Sequence, residues 1–173
     1  MSRSFLPVCA CLCIAIVLYS CKGKGGGSVY KSKTGIEVTY PGGWKEERSY
    51  GENVFLLLLQ ADGPTKINFL ENIKMEAVSQ EGKAVDFATM VKNNRKYAVD
   101  NKLVLLEDEL TKIDGKDAMR VVYNDQLGND KMKVMQFLQI FNDHLYILTF
   151  SAREKKFDEL RKEAEAIIRS TKY

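Results

Sequence analysis

The sequence predicts an α+β domain in which helices pack on an antiparallel sheet. Three observations support this prediction. Several segments alternate at the two-residue period of a strand, short turn signals separate them, and two stretches show helical periodicity. The elements follow the order strands, helix, about four strands, helix. This order describes an antiparallel sheet with helices packed on it.

The first strands follow from alternation and from one apolar run. Residues 36–40 alternate, and the YPGGW sequence at 40–44 indicates a turn. Residues 53–59 form a continuous apolar run, which is typical of a strand covered on both faces. Residues 67–78 alternate less regularly and predict a further strand.

Two hairpins follow the first helix. Residues 103–110 and 118–123 flank the Asp-Gly pair at 114–115, a strong turn signal. The clearest hairpin joins residues 132–141 to residues 145–150 across an Asn-Asp-His sequence.

Two amphipathic segments predict helices. Residues 85–100 place moderately apolar side chains on one side. The C-terminal helix is clearer, because its apolar residues follow the spacing of one buried face. These residues are Phe157, Leu160, Ala164, Ile167 and Ile168. Ser151 and Glu154 are spaced as in a capping box at its start.

The N-terminus predicts a signal peptide over residues 1–20. Its apolar run at 5–18 is shorter than the roughly 20 residues that span a bilayer. The end of the run resembles the bacterial lipobox, with Leu18 and Ser20 at fitting positions before Cys21. We expect cleavage before Cys21 and a lipid on its thiol. An ordinary secretory peptide with a spare cysteine is the alternative.

The other cysteines agree with lipidation. All four cysteines, at 9, 11, 13 and 21, lie in or at the end of the signal, so Cys21 alone would remain in the mature chain. Residues 21–28 form the lipidated cysteine and a flexible glycine-rich linker, and residues 29–173 form one domain. Lys22 stands where an acidic residue favours inner-membrane retention in enteric bacteria. By that resemblance we expect an outer-membrane anchor facing the periplasm.

The charge pattern and the reactive residues exclude several classes of function. The net charge of +3 is spread over interleaved lysines and acids, whereas nucleic-acid binding favours a basic stripe. No serine lies in a nucleophile-elbow pattern, and the mature chain has one histidine and no free thiol. We therefore expect no nucleic-acid partner, no catalytic residues and no cofactor.

Two sets of residues are weaker candidates for sites. His144, next to Asp143, could bind a metal ion together with Asp125 or Asp130. A solvated hairpin turn is the simpler interpretation, and the sequence predicts no metal site, because zinc sites need three or four ligands at recognisable spacing. The second set is aromatic. It comprises Tyr40, Trp44 and Tyr50, which could form an interface or cap the core.

The acidic triplet Glu107-Asp108-Glu109 lies in a segment predicted to be a strand. Alternation along a strand points Asp108 away from its two neighbours. The three carboxylates therefore cannot converge easily on one site. We interpret the triplet as an exposed strand face or a bulge.

The order of several local motifs resembles the PsbP family. The motifs are YPGGW at 40–44, NFLENI at 68–73, DFA at 86–88, IDGKDA at 113–118, ILTFSA at 147–152 and the Ser-Thr-Lys end at 170–172. The resemblance implies an α/β/α sandwich around an antiparallel sheet of about six strands. It also implies a binding or assembly role, as in most members of this fold. We therefore expect a lipid-anchored, non-enzymatic module that binds an envelope protein. The alternative is a periplasmic protein that binds a small ligand or metal ion.

Overall fold

The computed structural model describes residues 26–47, 51–61, 71–83 and 85–173. The predicted signal peptide, Cys21, Tyr50 and the first part of the strand predicted at 67–78 lie outside these residues. The described elements are β1 (Ser28–Lys31), β2 (Glu37–Tyr40), β3 (Trp44–Glu46), β4 (Val54–Gln60), β5 (Asn72–Ser79), α1 (Phe87–Asp100), β6 (Leu105–Ile113), β7 (Lys116–Leu127), β8 (Asp130–Phe141), β9 (His144–Arg153) and α2 (Glu154–Arg169).

One antiparallel sheet dominates the domain. Its seven strands follow the order β3-β4-β5-β9-β8-β7-β6, while β1 and β2 form a separate hairpin. A bridge between Glu37 and Lys172 joins that hairpin to the C-terminus. The predicted α+β class is confirmed. The sheet has one strand more than the expected six, because the short β3 pairs with β4 after the YPGGW turn.

The two predicted hairpins are present, and backbone conformation explains their tight turns. Asp114 and Gly115 both have positive φ, at 49° and 74°, and they join β6 to β7. Asn142 and Asp143, at 46° and 56°, join β8 to β9. Two consecutive positive φ values match the twist of the flanking strands. His144 is the first residue of β9 and not part of the turn.

The helices lie on opposite faces of the sheet, as the α/β/α arrangement requires. Phe137 belongs to the large core cluster that contains Phe157 of α2. Its neighbour Leu138 belongs to a smaller cluster with Met90 and Val91 of α1. Because successive strand residues point to opposite faces, the two clusters are separated by the sheet.

Two local predictions are wrong. Strand β4 is not covered equally on both faces, since Leu56 and Leu58 are fully buried and the alternate Leu57 and Leu59 are half-buried. The capping box is also absent. The N-cap of α2 is Arg153, which makes no side-chain cap bond, because Ser151 is still part of β9. Among the described residues, neither helix has the length and apolar character needed to cross a membrane.

Candidate functional site

The weak metal candidates do not come together. Asp125 and Asp130 lie beside the β7–β8 turn, and Asp143 and His144 lie at the β8–β9 turn. These turns are at opposite ends of the 12-residue β8, so about 35 Å separates them. Within the described ranges, no group of three or more His, Cys, Asp or Glu side chains is arranged to hold a metal. The suggested pairing of His144 with Asp125 or Asp130 is therefore wrong.

The aromatic residues at the end of β2 and the start of β3 belong to the core. Tyr40 and Trp44 are 8% and 4% exposed. The Trp44 indole Nε1 donates a hydrogen bond of 2.6 Å to Glu163 Oε1 of α2, and its ring meets Phe150 edge-on. Because both side chains are covered by the domain itself, they cannot form the interface we considered for them. The third residue of that set, Tyr50, lies outside the described residues.

The acidic triplet of β6 is divided between the two faces of the sheet. Glu107 accepts hydrogen bonds of 2.7 Å from both guanidinium NH groups of Arg161 in α2, and it also binds Arg120. Asp108 points the other way and binds Arg95 of α1 at 2.8 Å. The bonds from Arg161 hold the pKa of Glu107 below its usual range, against the opposing effect of burial. The triplet therefore connects both helices to the edge strand, beside a bulge at 105–107.

A concave pocket lined by five rings opens at the β8–β9 turn. We call it the aromatic pocket, and it has a volume of about 410 Å³. Its rings come from four parts of the chain and are those of Phe55, Phe141, His144, Tyr146 and Tyr173. Small-ligand sites typically have volumes of about 300–1,000 Å³ and mostly apolar or aromatic walls. The volume of this pocket lies within that range, and most of its wall is apolar or aromatic.

The rings of the pocket form a connected cluster. The ring centroids of Tyr146 and Tyr173 are 4.6 Å apart, and those of Phe141 and Tyr173 are 5.5 Å apart. Phe55 meets Tyr146 edge-on at 6.4 Å. Edge-to-face contacts of this kind stabilise an aromatic cluster beyond the effect of burial alone. The walls of the pocket are therefore held in place by one another.

The polar groups of the pocket are few. Burial raises the pKa of the Tyr146 phenol. It also raises the pKa of Tyr173, together with the nearby Tyr146 and Asp114. Both phenols thus stay neutral at ordinary pH. Nδ1 of His144 lies 2.7 Å from the carbonyl oxygen of Asn142, which can only accept, so Nδ1 donates this hydrogen bond. The arrangement provides ring faces and hydrogen-bonding groups, which suit the binding of a small molecule.

Sequence reasoning missed this pocket. It singled out His144, but for a metal, and it treated the other four rings as ordinary core or strand residues. Those rings meet only because β4, the β8–β9 hairpin and the C-terminus converge in space. The run of apolar residues at the start of β4 was the sole local signal.

A second candidate surface lies along the edge strand β6. Five of the seven large apolar side chains that the described residues expose fall within residues 97–110. We call this stretch the β6 edge segment. The five residues are Tyr97, Val99, Val104, Leu106 and Leu110. Strand β6 ends the sheet order, so no described strand pairs with its outer edge. Exposed apolar groups beside a free edge are typical of interaction sites.

Solved structures with this fold come from several bacteria. A cyanobacterial PsbP (CyanoP) from Synechocystis superposes with a TM-score of 0.59 and 17% identity, covering 90% of this chain and 98% of that one. LpqN from Mycobacterium tuberculosis, described as involved in cell envelope biogenesis, gives a TM-score of 0.64 and 12% identity, covering 84% and 89%. A protein of unknown function from Pseudomonas aeruginosa gives 0.55 and 17%, covering 84% and 96%.

Sequence comparison identifies the family. No curated protein matches the chain. The PsbP family model matches residues 26–173, which include every helix and strand described above. The structures at 12–17% identity show the fold alone, whereas the family match covers most of the sequence. The chain therefore belongs to the PsbP family.

Proposed function

We propose that this chain is a lipid-anchored, non-enzymatic envelope protein that docks onto a partner protein through the β6 edge segment. The observation that carries the proposal is the free outer edge of β6 next to exposed Leu106 and Leu110. A partner strand could add to this edge by main-chain hydrogen bonds, while the leucines provide apolar contact. The fold is shared with LpqN, whose description places it in envelope biogenesis, and this supports an envelope role.

The charges of β6 favour docking over protection of the edge. Natural edge strands commonly carry charged side chains that prevent pairing with other chains. In β6 all four charged side chains lie in ion pairs within the chain. They are Glu107, Asp108, Glu109 and Lys112, and their partners are Arg161 or Arg120, Arg95, Arg120 and Asp117. Because these charges are matched internally, the edge carries less repulsion against an incoming strand.

The lipid anchor is proposed from the sequence. Cleavage before Cys21 and acylation of its thiol would hold the domain at a bacterial membrane. Lys22, in place of an acidic residue after the cysteine, favours the outer membrane, with the domain facing the periplasm. A tether of this kind raises the local concentration of the domain near an envelope partner. Metabolic labelling with an alkyne analogue of palmitate tests this step. We expect label on the wild-type protein and none on Cys21→Ala.

The docking step is tested by crosslinking in native envelopes, followed by purification and mass spectrometry. We expect one near-stoichiometric partner with wild-type protein and its loss with Leu106→Lys/Leu110→Lys. Leu127→Lys is the matched control, because Leu127 is equally exposed but lies at the far end of β7. Retention of the partner by the double variant would contradict docking through β6. Retention by Cys21→Ala would show that the anchor is not needed.

The aromatic pocket favours a second candidate function, the binding of a small ligand. Its volume and lining suit a compact molecule, and it lies beside β4 and the β8–β9 turn, away from β6 in the sheet order. The two candidates therefore use different surfaces. Variants of one surface should leave the function of the other unchanged.

A further inference from the structure

We infer that the aromatic pocket binds an organic ammonium group, either of a small molecule or of a lipid headgroup. This inference rests on the second candidate function and is independent of docking at β6. Three observations carry it: the faces of the rings, the charge of the lining and the position of an internal lysine.

The rings provide the attraction. The face of an aromatic ring carries a negative quadrupole, and a cation within about 6 Å of the ring centroid is attracted to it. Phe55, Phe141 and Tyr173 line the pocket and are only half-buried. Several such rings around one concave space form the type of cage that recognises quaternary ammonium groups.

The same cluster already holds one cation from within the chain. The Lys116 ammonium lies 4.6 Å from the centroid of Phe141 and 5.4 Å from that of Tyr173. Lys116 does not line the pocket, and its charge is matched by Asp114 at 2.8 Å. The rings therefore accept a cation in this structure, and the matched lysine leaves little positive charge to repel a second one.

The charge of the pocket lining is opposite to that of an ammonium group. Glu52 is the one Asp, Glu, Lys or Arg among the described residues that line it, and it is exposed. A positive ligand thus meets ring faces and one carboxylate, whereas an anionic ligand would meet the same carboxylate with no described lining lysine or arginine to offset it.

Choline chloride is the probe, and dimethylbutanol, in which a carbon replaces the charged nitrogen, is the neutral isostere. Titrations of the domain from residue 26 onward, the region that the family model matches, are followed by backbone amide NMR. We expect choline to shift Phe55, His144 and Tyr146 and to bind about 3- to 30-fold more tightly than the isostere. Equal affinities would show a ligand pocket that does not select charge, which overturns the inference but leaves the second candidate function in place. No shift with either compound overturns both.

Substitutions of lining residues test whether choline binds in the aromatic pocket. Glu52→Gln alters an exposed side chain and should weaken choline binding about twofold or more without affecting the isostere. Phe55→Leu keeps apolar volume but removes a ring, and we expect at least a threefold loss for choline alone. Phe87→Leu, a half-buried position on α1, is the matched control. Unchanged choline affinity in both pocket variants would overturn the assignment.

Flotation with vesicles distinguishes the two sources of the ammonium group. Vesicles of phosphatidylcholine are compared with vesicles of phosphatidylglycerol, using the same unanchored domain. Flotation with phosphatidylcholine alone, reduced by Phe55→Leu, assigns the pocket to a lipid headgroup. Choline binding in solution without flotation assigns it to a free small molecule. Equal flotation with both vesicles and no choline binding would contradict the inference.

Discussion

The two helices lie on opposite faces of one sheet, and the apolar core is much larger on the face that α2 covers. The core cluster on the α2 side contains 21 buried residues among those described, against 5 on the α1 side. Helix α2 buries four side chains and adds the paired guanidinium bonds of Arg161 to Glu107. Helix α1 buries three, and its last two turns leave Tyr97 and Val99 exposed.

The difference indicates that the α2 side mainly stabilises the fold, whereas the α1 side provides the surface for interaction. Most of the free energy of folding comes from apolar burial, so the α2 side should dominate stability. Substitutions on the surface of the α1 side should therefore lower the free energy of unfolding less. The α1 side also carries most of the exposed apolar residues, as the proposed docking surface requires. The predictions below test this contrast, from the largest expected effect to the smallest.

Truncation of one core residue on each face gives the strongest test. Phe157 of α2 is 1% exposed and its ring stacks on Phe150 at 5.3 Å. Phe157→Ala should lower the free energy of unfolding by about 3–5 kcal/mol, and Met90→Ala on α1 by about 2 kcal/mol. Urea unfolding followed by circular dichroism measures both. A larger loss for Met90→Ala would reverse the contrast between the faces.

Removal of the charge that links α2 to the edge strand should have an intermediate effect. Glu107→Gln leaves Arg120, which is 7% exposed, with fewer partners, and we expect a loss of about 1–3 kcal/mol. Glu81→Gln, in an exposed turn, is the control and should change stability little.

The effect of Glu107 should depend on pH with a definite sign. Because the pKa of Glu107 is lowered in the folded state, its contribution is fully present above the ordinary glutamate pKa of about 4.3. The contribution is lost as the pH falls through the lower, folded-state pKa. Unfolding of wild type and Glu107→Gln should thus converge in acid. A difference that grows on acidification would contradict the assigned shift.

The corresponding ion pair on α1 should contribute less to the free energy of unfolding. Arg95 binds Asp108 through two guanidinium bonds, but its side chain is half exposed. Arg95→Ala should lower the free energy of unfolding by less than Glu107→Gln does, and the loss should shrink in high salt. Thermal unfolding at low and high ionic strength is the measurement. A cost equal to that of Glu107→Gln would remove the distinction between the two links.

The smallest stability effect is expected on the proposed docking surface. Leu110 is 60% exposed, so Leu110→Lys should change the free energy of unfolding by no more than about 0.5 kcal/mol. The same substitution should reduce partner crosslinking strongly. A large loss of stability would mean that Leu110 supports the fold and is not free to bind a partner.

Local patterns in the sequence were sufficient for the hairpins and for α2. The Asp-Gly pair and the Asn-Asp pair both adopt the positive φ values that tight turns need, and this requirement is local to the chain. The buried residues of α2 match its predicted apolar face, since that face repeats with the period of the helix. The N-terminal lipidation motif is likewise a local signal, and it stays a prediction.

The sites were decided by tertiary structure. Trp44 looks the same in sequence whether it is exposed or buried, and only the packing of α2 onto the sheet places it in the core. His144 lines the same pocket as Phe55 and Tyr173, which are 89 and 29 residues away in the chain. Local patterns predicted the fold class, the resemblance to the PsbP family and the two hairpins, because periodicity, turns and short motifs act over a few residues. Only the tertiary structure decided which side chains share a pocket or stay exposed, because those properties depend on contacts between residues distant in the chain.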